Sequence, residues 1–319
     1  MLSTFAGIAA SIGHARLRYL LVAWGAAVGL VIAAAFASFV FTSRSAAIVR
    51  AEQDLGNLSM ILAEEVNSGL QGIDLLESAL IDHMREAGID SAESFDASMR
   101  SYDVHLDLVR RAAGLSQLTA LSLHNASGDL INFSLGWPPP QFNSRGSEFI
   151  RSLLTATASR TFIGVLPHST VTGEPTIYIS RRFEDSGGRL IGVVLCTMLV
   201  EHFERVFSRI AASPDAAFDL YRSDGVLLAR YPRREALIGV SLGSGANFRR
   251  VLGSLGHGAT RVTSVIDGKD RLVAAHAVPY FPLLLAASDT TDAVLKTWRS
   301  EARAFLGATV FLELSSLAR

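Results

Sequence analysis

Cysteine is almost absent from this chain. Cys196 is the single one among 319 residues, so no disulfide can close within the chain and a disulfide-stapled scaffold is excluded. It lies in the apolar run Leu190–Met198, where a small buried core residue is expected rather than a reactive thiol. An excess of charge is missing too. Lys and Arg number 29 against 30 Asp and Glu, a net charge of −1, so no global field recruits nucleic acid or anionic lipid. The basic pairs Arg110-Arg111, Arg181-Arg182 and Arg233-Arg234 are scattered and read as solvated faces. No Gly-x-x-x-x-Gly-Lys-Ser/Thr loop is present, and Gly268-Lys269-Asp270 reads as a hairpin turn. The eight histidines form no i,i+4 pair and no His-Glu-x-x-His, so no metal or cofactor is expected.

Apolar residues are abundant. They make up 49% of the chain and mean hydropathy is +0.32, enough for a sizeable core and against disorder over most of the length. The length allows two modest domains plus connecting segments. The excess is local: Tyr19–Thr42 carries no charge and is bounded by Arg18 and Arg44. As a helix it would be ~36 Å long, enough to cross a hydrocarbon core. Tyr19 and Trp24 suit one interface and Phe41 the other. A cleaved signal peptide is the alternative, with Ala35-Phe36-Ala37 as its cleavage-like site; its apolar region would be only ~7–15 residues.

The spacing after the span predicts a long helix over 43–85. Leu55, Leu58, Leu62, Val66, Leu70, Ile73, Leu76, Leu80 and Met84 step by three and four and form one stripe. The stripe reads either as packing on its own domain or as a dimer seam that transmits motion. Gly88-Ile89-Asp90-Ser91 marks a break, and Ser91 is positioned to cap a second helix running to about Ala113.

Beyond it the period shifts to two. Gln117–His124, a turn at Asn125-Ala126-Ser127-Gly128-Asp129, and Leu130–Ser134 read as a hairpin. A short helix over 146–155 follows, then strands at 161–166, 176–183 and 189–198, with Ser186-Gly187-Gly188 as the last turn. Val200–Ile210 reads as a helix with Phe203 and Val206 inward. The layout then repeats: hairpin 218–231 about Asp224-Gly225, helix 247–255, hairpin 260–278 and strand 282–288. A helix capped by Asp289, Thr290 or Thr291 runs on through Trp298. The turn glycines Gly128 and Gly225 are 97 residues apart, which suggests two consecutive α+β units with antiparallel sheets. From Ala304 the chain turns apolar again, as the start of a second span or as an interfacial or buried amphipathic end.

This order is similar to the double Cache (tandem PAS-like) extracytoplasmic sensor family of bacterial receptors. The resemblance is carried by Gly136-Trp137-Pro138-Pro139-Pro140, Arg181-Arg182-Phe183 and Gly187–Val194. In the second unit it is carried by Ser223–Pro232, Asp267-Gly268, Val278–Leu283 and Trp298-Arg299. It implies a division into cytoplasmic tail 1–18, transmembrane helix 19–42, stalk helix 43–88, membrane-distal unit 89–212, membrane-proximal unit 213–303 and a truncated second span 304–319. It further implies a bacterial inner-membrane receptor with residues 43–303 periplasmic, a homodimer through the stalk, and no catalysis. Output of a GGDEF/EAL, kinase or chemotaxis type would lie outside this sequence, whether the chain is a fragment, a frameshifted copy or a stand-alone sensor.

The same resemblance places a ligand under the loop and short helix after the first hairpin. There Trp137 could stack on it, Arg145 could pair a carboxylate, and Ser147 and Phe149 occupy the helix start. Tyr178 and Ser180 alternate on a strand and face the pocket side, with Arg181 on the opposite face. The family's Asp-Arg pair is replaced by Gly146-Ser147, and its acidic residue after the last strand by Leu199. The expected ligand is therefore a small organic anion rather than an α-amino compound. Core packing is the other reading of Trp137 and Tyr178, and a solvated loop that of Arg145. Two further readings stand beside the sensor. One is a membrane-tethered interaction module without a ligand. The other is a serine hydrolase on Gly239-Val240-Ser241-Leu242-Gly243, with Asp267 or Asp270 and His276.

Overall fold

The computed structural model describes residues 2–155, 161–169, 173–242 and 256–317. Two compact units are present, Met1–Ala51 with Asp292–Arg319, and Glu52–Thr291.

The first unit holds the start of helix α1 (Leu2–Glu86) and, at the other end of the chain, the helices α6 (Thr291–Val294) and α7 (Lys296–Leu317). The α1 segment beginning at Ala23 is long and apolar enough to cross a membrane and leaves Trp24, Leu30, Val31 and Phe41 exposed. Phe39 meets Phe305 edge to face at 5.0 Å, and Trp298 Nε1 donates to Ser43 Oγ at 3.0 Å. Asp289 and Thr290 end the last strand, and the helix begins at Thr291 directly after Thr290.

The second unit contains two sheets of identical topology. The sheets are named distal and proximal after the expected order of the two modules. The distal sheet comprises β1 (Ala120–Asn125), β2 (Leu130–Phe133), β3 (Thr161–Leu166), β4 (Thr176–Glu184) and β5 (Leu190–Leu199). The proximal sheet comprises β6 (Ala217–Arg222), β7 (Leu227–Tyr231), β8 (His257–Thr263), β9 (Asp270–Ala277) and β10 (Leu283–Thr290). Strand orders are β2-β1-β5-β4-β3 and β7-β6-β10-β9-β8, antiparallel throughout. Even the irregularity of the first hairpin repeats, between Leu123 and His124 and between Leu220 and Tyr221. Asn125 Oδ1 accepts from the Ser127 and Asp129 amides, and Gly128 takes the positive φ that closes this turn.

The α1 stripe is spent within its own domain. Leu55, Leu62, Val66, Leu70, Ile73, Leu80 and Met84 are buried, each stabilising by ~1.5–3 kcal/mol over exposure, while Leu58 and Leu76 are half-buried. One helix thus lies along both sheets: Ser59 Oγ meets His276 Nδ1 of β9 at 2.7 Å, and Asp74 pairs with Arg181 of β4. The helix stops in a Schellman turn, with Ile89 N–H donating to Met84 O, Gly88 N–H to Arg85 O, and Gly88 at positive φ.

The expected second helix is two helices. Ser91 caps α2 (Ala92–Met99), and Ser101 caps α3 (Tyr102–Ala113) by accepting from Val104 N–H. Asn132 Nδ2 fixes the break by donating to the carbonyls of Met99 and Ser101. Phe203 of α5 (Val200–Ile210) is buried as expected, but its inward partner is Phe207; Val206 is half-buried. The four-residue step keeps Phe207 on the face of Phe203 and in contact with Phe218, ring centres 5.9 Å apart. Strand β8 begins three residues before its expected start because His257 pairs with His276 of β9. The helix expected over 247–255 lies outside the described residues.

Candidate functional site

Strand period assigns the two faces of the distal sheet. On one, Ile177, Ile179, Arg181 and Phe183 alternate along β4, paired with Met198, Cys196, Val194 and Gly192 of β5. The helices α1 and α2 cover this face: Arg85 lies over the Phe183 ring and Phe95 packs 6.0 Å from it. Arg181 therefore does fall on the face opposite Tyr178 and Ser180. Glu77 of α1 is wholly buried here, its Oε2 3.7 Å from Arg181 Nε, with Cys196 beside it. Burial pushes Glu77 up to about 8 against the opposing pull of Arg181, and raises the buried Cys196 thiol as well.

The other face is covered by the loop after β2 and by α4 (Glu148–Thr155). Between them and the sheet lies a cavity of about 140 Å³. Ser122 and His124 of β1, Leu195 and Thr197 of β5 and Phe133 of β2 line its sheet side; Ser144 and Ser147 line the cover. Among the described residues no Asp, Glu, Lys or Arg lines it, and His168, which does, is exposed. His124, 2% exposed, approaches Ser122 Oγ through Nε2 at 3.2 Å and Ser144 Oγ through Nδ1 at 3.3 Å. Burial lowers its imidazole to about 4 despite a hydrogen bond to the Gly128 backbone, so it is neutral at ordinary pH.

The six residues singled out from sequence are not gathered in one place. Ser147 lines the cavity. Tyr178 is buried beside it in a cluster with Ile150, Val193 and Leu195, and its hydroxyl donates to Glu148 Oε2 at 3.1 Å. Burial and this carboxylate push the phenol upward. Ser180 is buried and donates to Phe162 O at 3.3 Å. Trp137, 39% exposed, stands 5.9 Å from Tyr102 and 5.8 Å from His105 of α3, outside the cavity lining. Arg145 is exposed and also outside the lining; its amide donates to Asn143 Oδ1. Phe149 is the second residue of α4, but its side chain lies outside the described residues.

Apart from Ser147, sequence reading missed the polar residues that line the cavity. One signal was available: Ser122 and His124 alternate with Leu121 and Leu123 on a strand otherwise apolar at those positions. It also missed a link between the modules. Arg222, at the end of β6, donates to Glu148 Oε1 at 2.9 Å and to Ile163 O of β3 at 3.2 Å, and its guanidinium lies over the Phe162 ring.

The hydrolase constellation does not assemble. Ser241 Oγ donates to Asp224 O, His276 is engaged by Ser59, and Asp267 and Asp270 pair with Arg271 and Arg261. A nucleophile needs a base within hydrogen-bond reach, and none of these contacts supplies one to Ser241.

Comparison with known proteins agrees with this architecture. A dCache_1-like family profile described as a histidine kinase sensor domain matches residues 200–288. The extracellular domain of a protein described as a histidine kinase, rpHK1S-Z16, is 25% identical over 77% of this chain and 97% of its own, with a TM-score of 0.62. The periplasmic sensory domain of the Campylobacter jejuni chemoreceptor Tlp1 is 13% identical over 78% and 98%, with a TM-score of 0.60. The ligand-binding domain of the Pseudomonas fluorescens chemoreceptor CtaA, solved with L-isoleucine, is 18% identical over 81% and 99%, with a TM-score of 0.55. The last two likenesses are of fold. A search of curated protein sequences found no match. Over residues 200–288 the chain thus matches a sensor-domain profile, and its two duplicated sheets share the fold of these extracellular sensor domains.

Proposed function

We propose that the distal cavity binds a small molecule and that occupancy is relayed toward the membrane. The observation that carries this reading is the cavity itself, roofed by Ser144, Ser147 and the start of α4, with Glu148 at that start held by Arg222 of the proximal module. A ligand that favours one position of the roof shifts the population of that position. The shift passes to the proximal module through Arg222 and along α1, which touches both sheets. Residues 43–303 are periplasmic on this reading and 19–42 span the inner membrane. Arg145 lies outside the lining, so the geometry gives little support to a carboxylate held by that residue. Self-association remains part of the proposal, but not through the α1 stripe, which is buried. It would use the outward side of the stalk, where Met60, Ile61 and Leu75 are exposed.

The test is a thermal-shift screen of the full chain in nanodiscs against a broad library of small metabolites. Stabilisation by a library member, lost in Ser147→Trp, is the expected result; no stabilisation by any compound would leave the interaction module without a ligand. Labelling of Ser68→Cys in intact cells by a membrane-impermeant maleimide tests the topology, since the native Cys196 is buried. No labelling without lysis would overturn the periplasmic placement.

A further inference from the structure

The hydrogen-bonding capacity of the cavity wall narrows the ligand class, given that the cavity is the ligand site. A hydroxyl has one hydrogen to donate and two lone pairs to accept with. Ser147 spends its hydrogen on Ser144 O, Thr176 on Glu174 O at 3.0 Å, and Thr197 on Ala120 O at 3.4 Å. The hydrogen of Ser122 goes to Leu195 O at 3.4 Å or to His124 Nε2 at 3.2 Å, in either case inside the protein. The neutral imidazole of His124 has a single N–H, and Gly128 takes a hydrogen bond from it. The hydroxyls of Ser122, Ser147, Thr176 and Thr197 therefore present lone pairs to the cavity rather than hydrogens, while His124 is engaged within the protein.

A carboxylate or phosphate brings only acceptors, so it would face this wall lone pair to lone pair. It would also be stripped of water with no Lys or Arg in the described lining, at a cost of several kcal/mol. An ammonium brings donors but meets no carboxylate in the same lining. What fits is a molecule without charge that carries at least one N–H or O–H and otherwise offers an apolar body to Leu130, Phe133 and Leu195. The size follows from the volume. A cavity of about 140 Å³ compares with the roughly 150 Å³ of an engineered cavity that holds benzene, so one ring or its equivalent is accommodated.

We infer that the distal module recognises an uncharged, ring-sized hydrogen-bond donor, through the hydroxyl lone pairs of Ser122, Ser147, Thr176 and Thr197.

Matched probes test charge and donor separately on the full chain in nanodiscs. Benzamide against benzoate changes charge and removes the donors at nearly constant shape; phenol against fluorobenzene removes the donor alone. L-isoleucine and succinate stand for zwitterions and small dianions. Benzamide or phenol at about 100 times Kd is expected to raise Tm by roughly 5–10 °C, with benzoate, fluorobenzene, L-isoleucine and succinate giving no shift. Ser147→Trp, and independently Ser144→Leu, should abolish the shift by filling the cavity from its roof. A shift from benzoate, L-isoleucine or succinate that either variant abolishes would overturn the ligand class and leave the sensor reading standing. Fluorobenzene matching phenol would overturn the donor requirement. No shift from these probes, together with none in the metabolite screen, would overturn both.

Discussion

Arg222 of the proximal module donates to Glu148 of the distal module at 2.9 Å, and Glu148 in turn accepts from Tyr178 on the far side of its carboxylate at 3.1 Å. One carboxylate thus ties the first turn of the cavity roof both to its own sheet and to the neighbouring module. Arg222 is itself braced by Asp224 in the turn after β6. The two residues are 74 positions apart, so only the stacking of the two modules makes the contact.

Removing either partner should weaken the tie, but unequally. Arg222→Met leaves Ile163 O and Glu148 without their donor and is expected to cost roughly 2–3 kcal/mol in chemical denaturation. Glu148 is 44% exposed on its side chain, so solvent screens the pair. The double-mutant cycle of Arg222→Met with Glu148→Gln should return a coupling of only about 1 kcal/mol. A coupling of zero would remove the proposed link between the modules.

The buried Glu77 makes stability fall with rising pH. Its carboxyl titrates at about 8 in the fold against 4.5 when exposed, so between these values the folded state holds the extra proton. The contribution is complete below pH 4.5 and is lost as pH rises through 8, on the order of 5 kcal/mol in all. Relative to Glu77→Gln, the wild type should lose stability between pH 5 and pH 8.5, read from denaturation midpoints; parallel pH curves for the two proteins would count against a protonated, buried Glu77.

His124 slopes the other way. Its imidazole is held near 4 in the fold against 6.5 when exposed, so the unfolded chain takes up the proton first. Its contribution is complete above pH 6.5 and is lost as pH falls toward 4, on the order of 3 kcal/mol. Relative to His124→Gln, the wild type should gain stability between pH 4 and 6.5 in the same denaturation assay. Parallel curves for the two proteins would count against a neutral, buried His124.

Gly164 is required by Tyr178. A Cβ on Gly164 would lie 2.3 Å from the Tyr178 hydroxyl oxygen and 2.5 Å from the ring carbon that bears it. Gly164→Ala should cost about 1–3 kcal/mol and displace the hydrogen bond to Glu148. Tyr178→Leu shortens the side chain and should recover part of that loss in the double variant, read from Tm. Strict additivity of the two changes would show that the ring does not make this contact.

Local rules determined a good deal of this protein by sequence alone. A run of 24 uncharged residues can be satisfied in lipid only as a helix, and the three-and-four spacing from Leu55 to Met84 fixes which face of its continuation is buried. Period-two strands bounded by Gly128, Gly188 and Gly225 marked both sheets, because turns that need positive φ select glycine. The residues that form the cavity were decided elsewhere. Trp137 and Tyr178 share a residue character, yet the first packs on α3 and the second fills the sheet beside the cavity; nothing within a few positions of either distinguishes them. Ser122, His124, Ser144 and Ser147 are small polar residues spread over two elements, and their common wall exists only once α4 and the loop before it fold back onto the sheet. Whether a side chain lines a cavity depends on which backbone crosses above it, and that is a property of chain topology over tens of residues. Arg222 and Glu148 make the same point across modules: their charges are written in the sequence, and their pairing is written only in the packing.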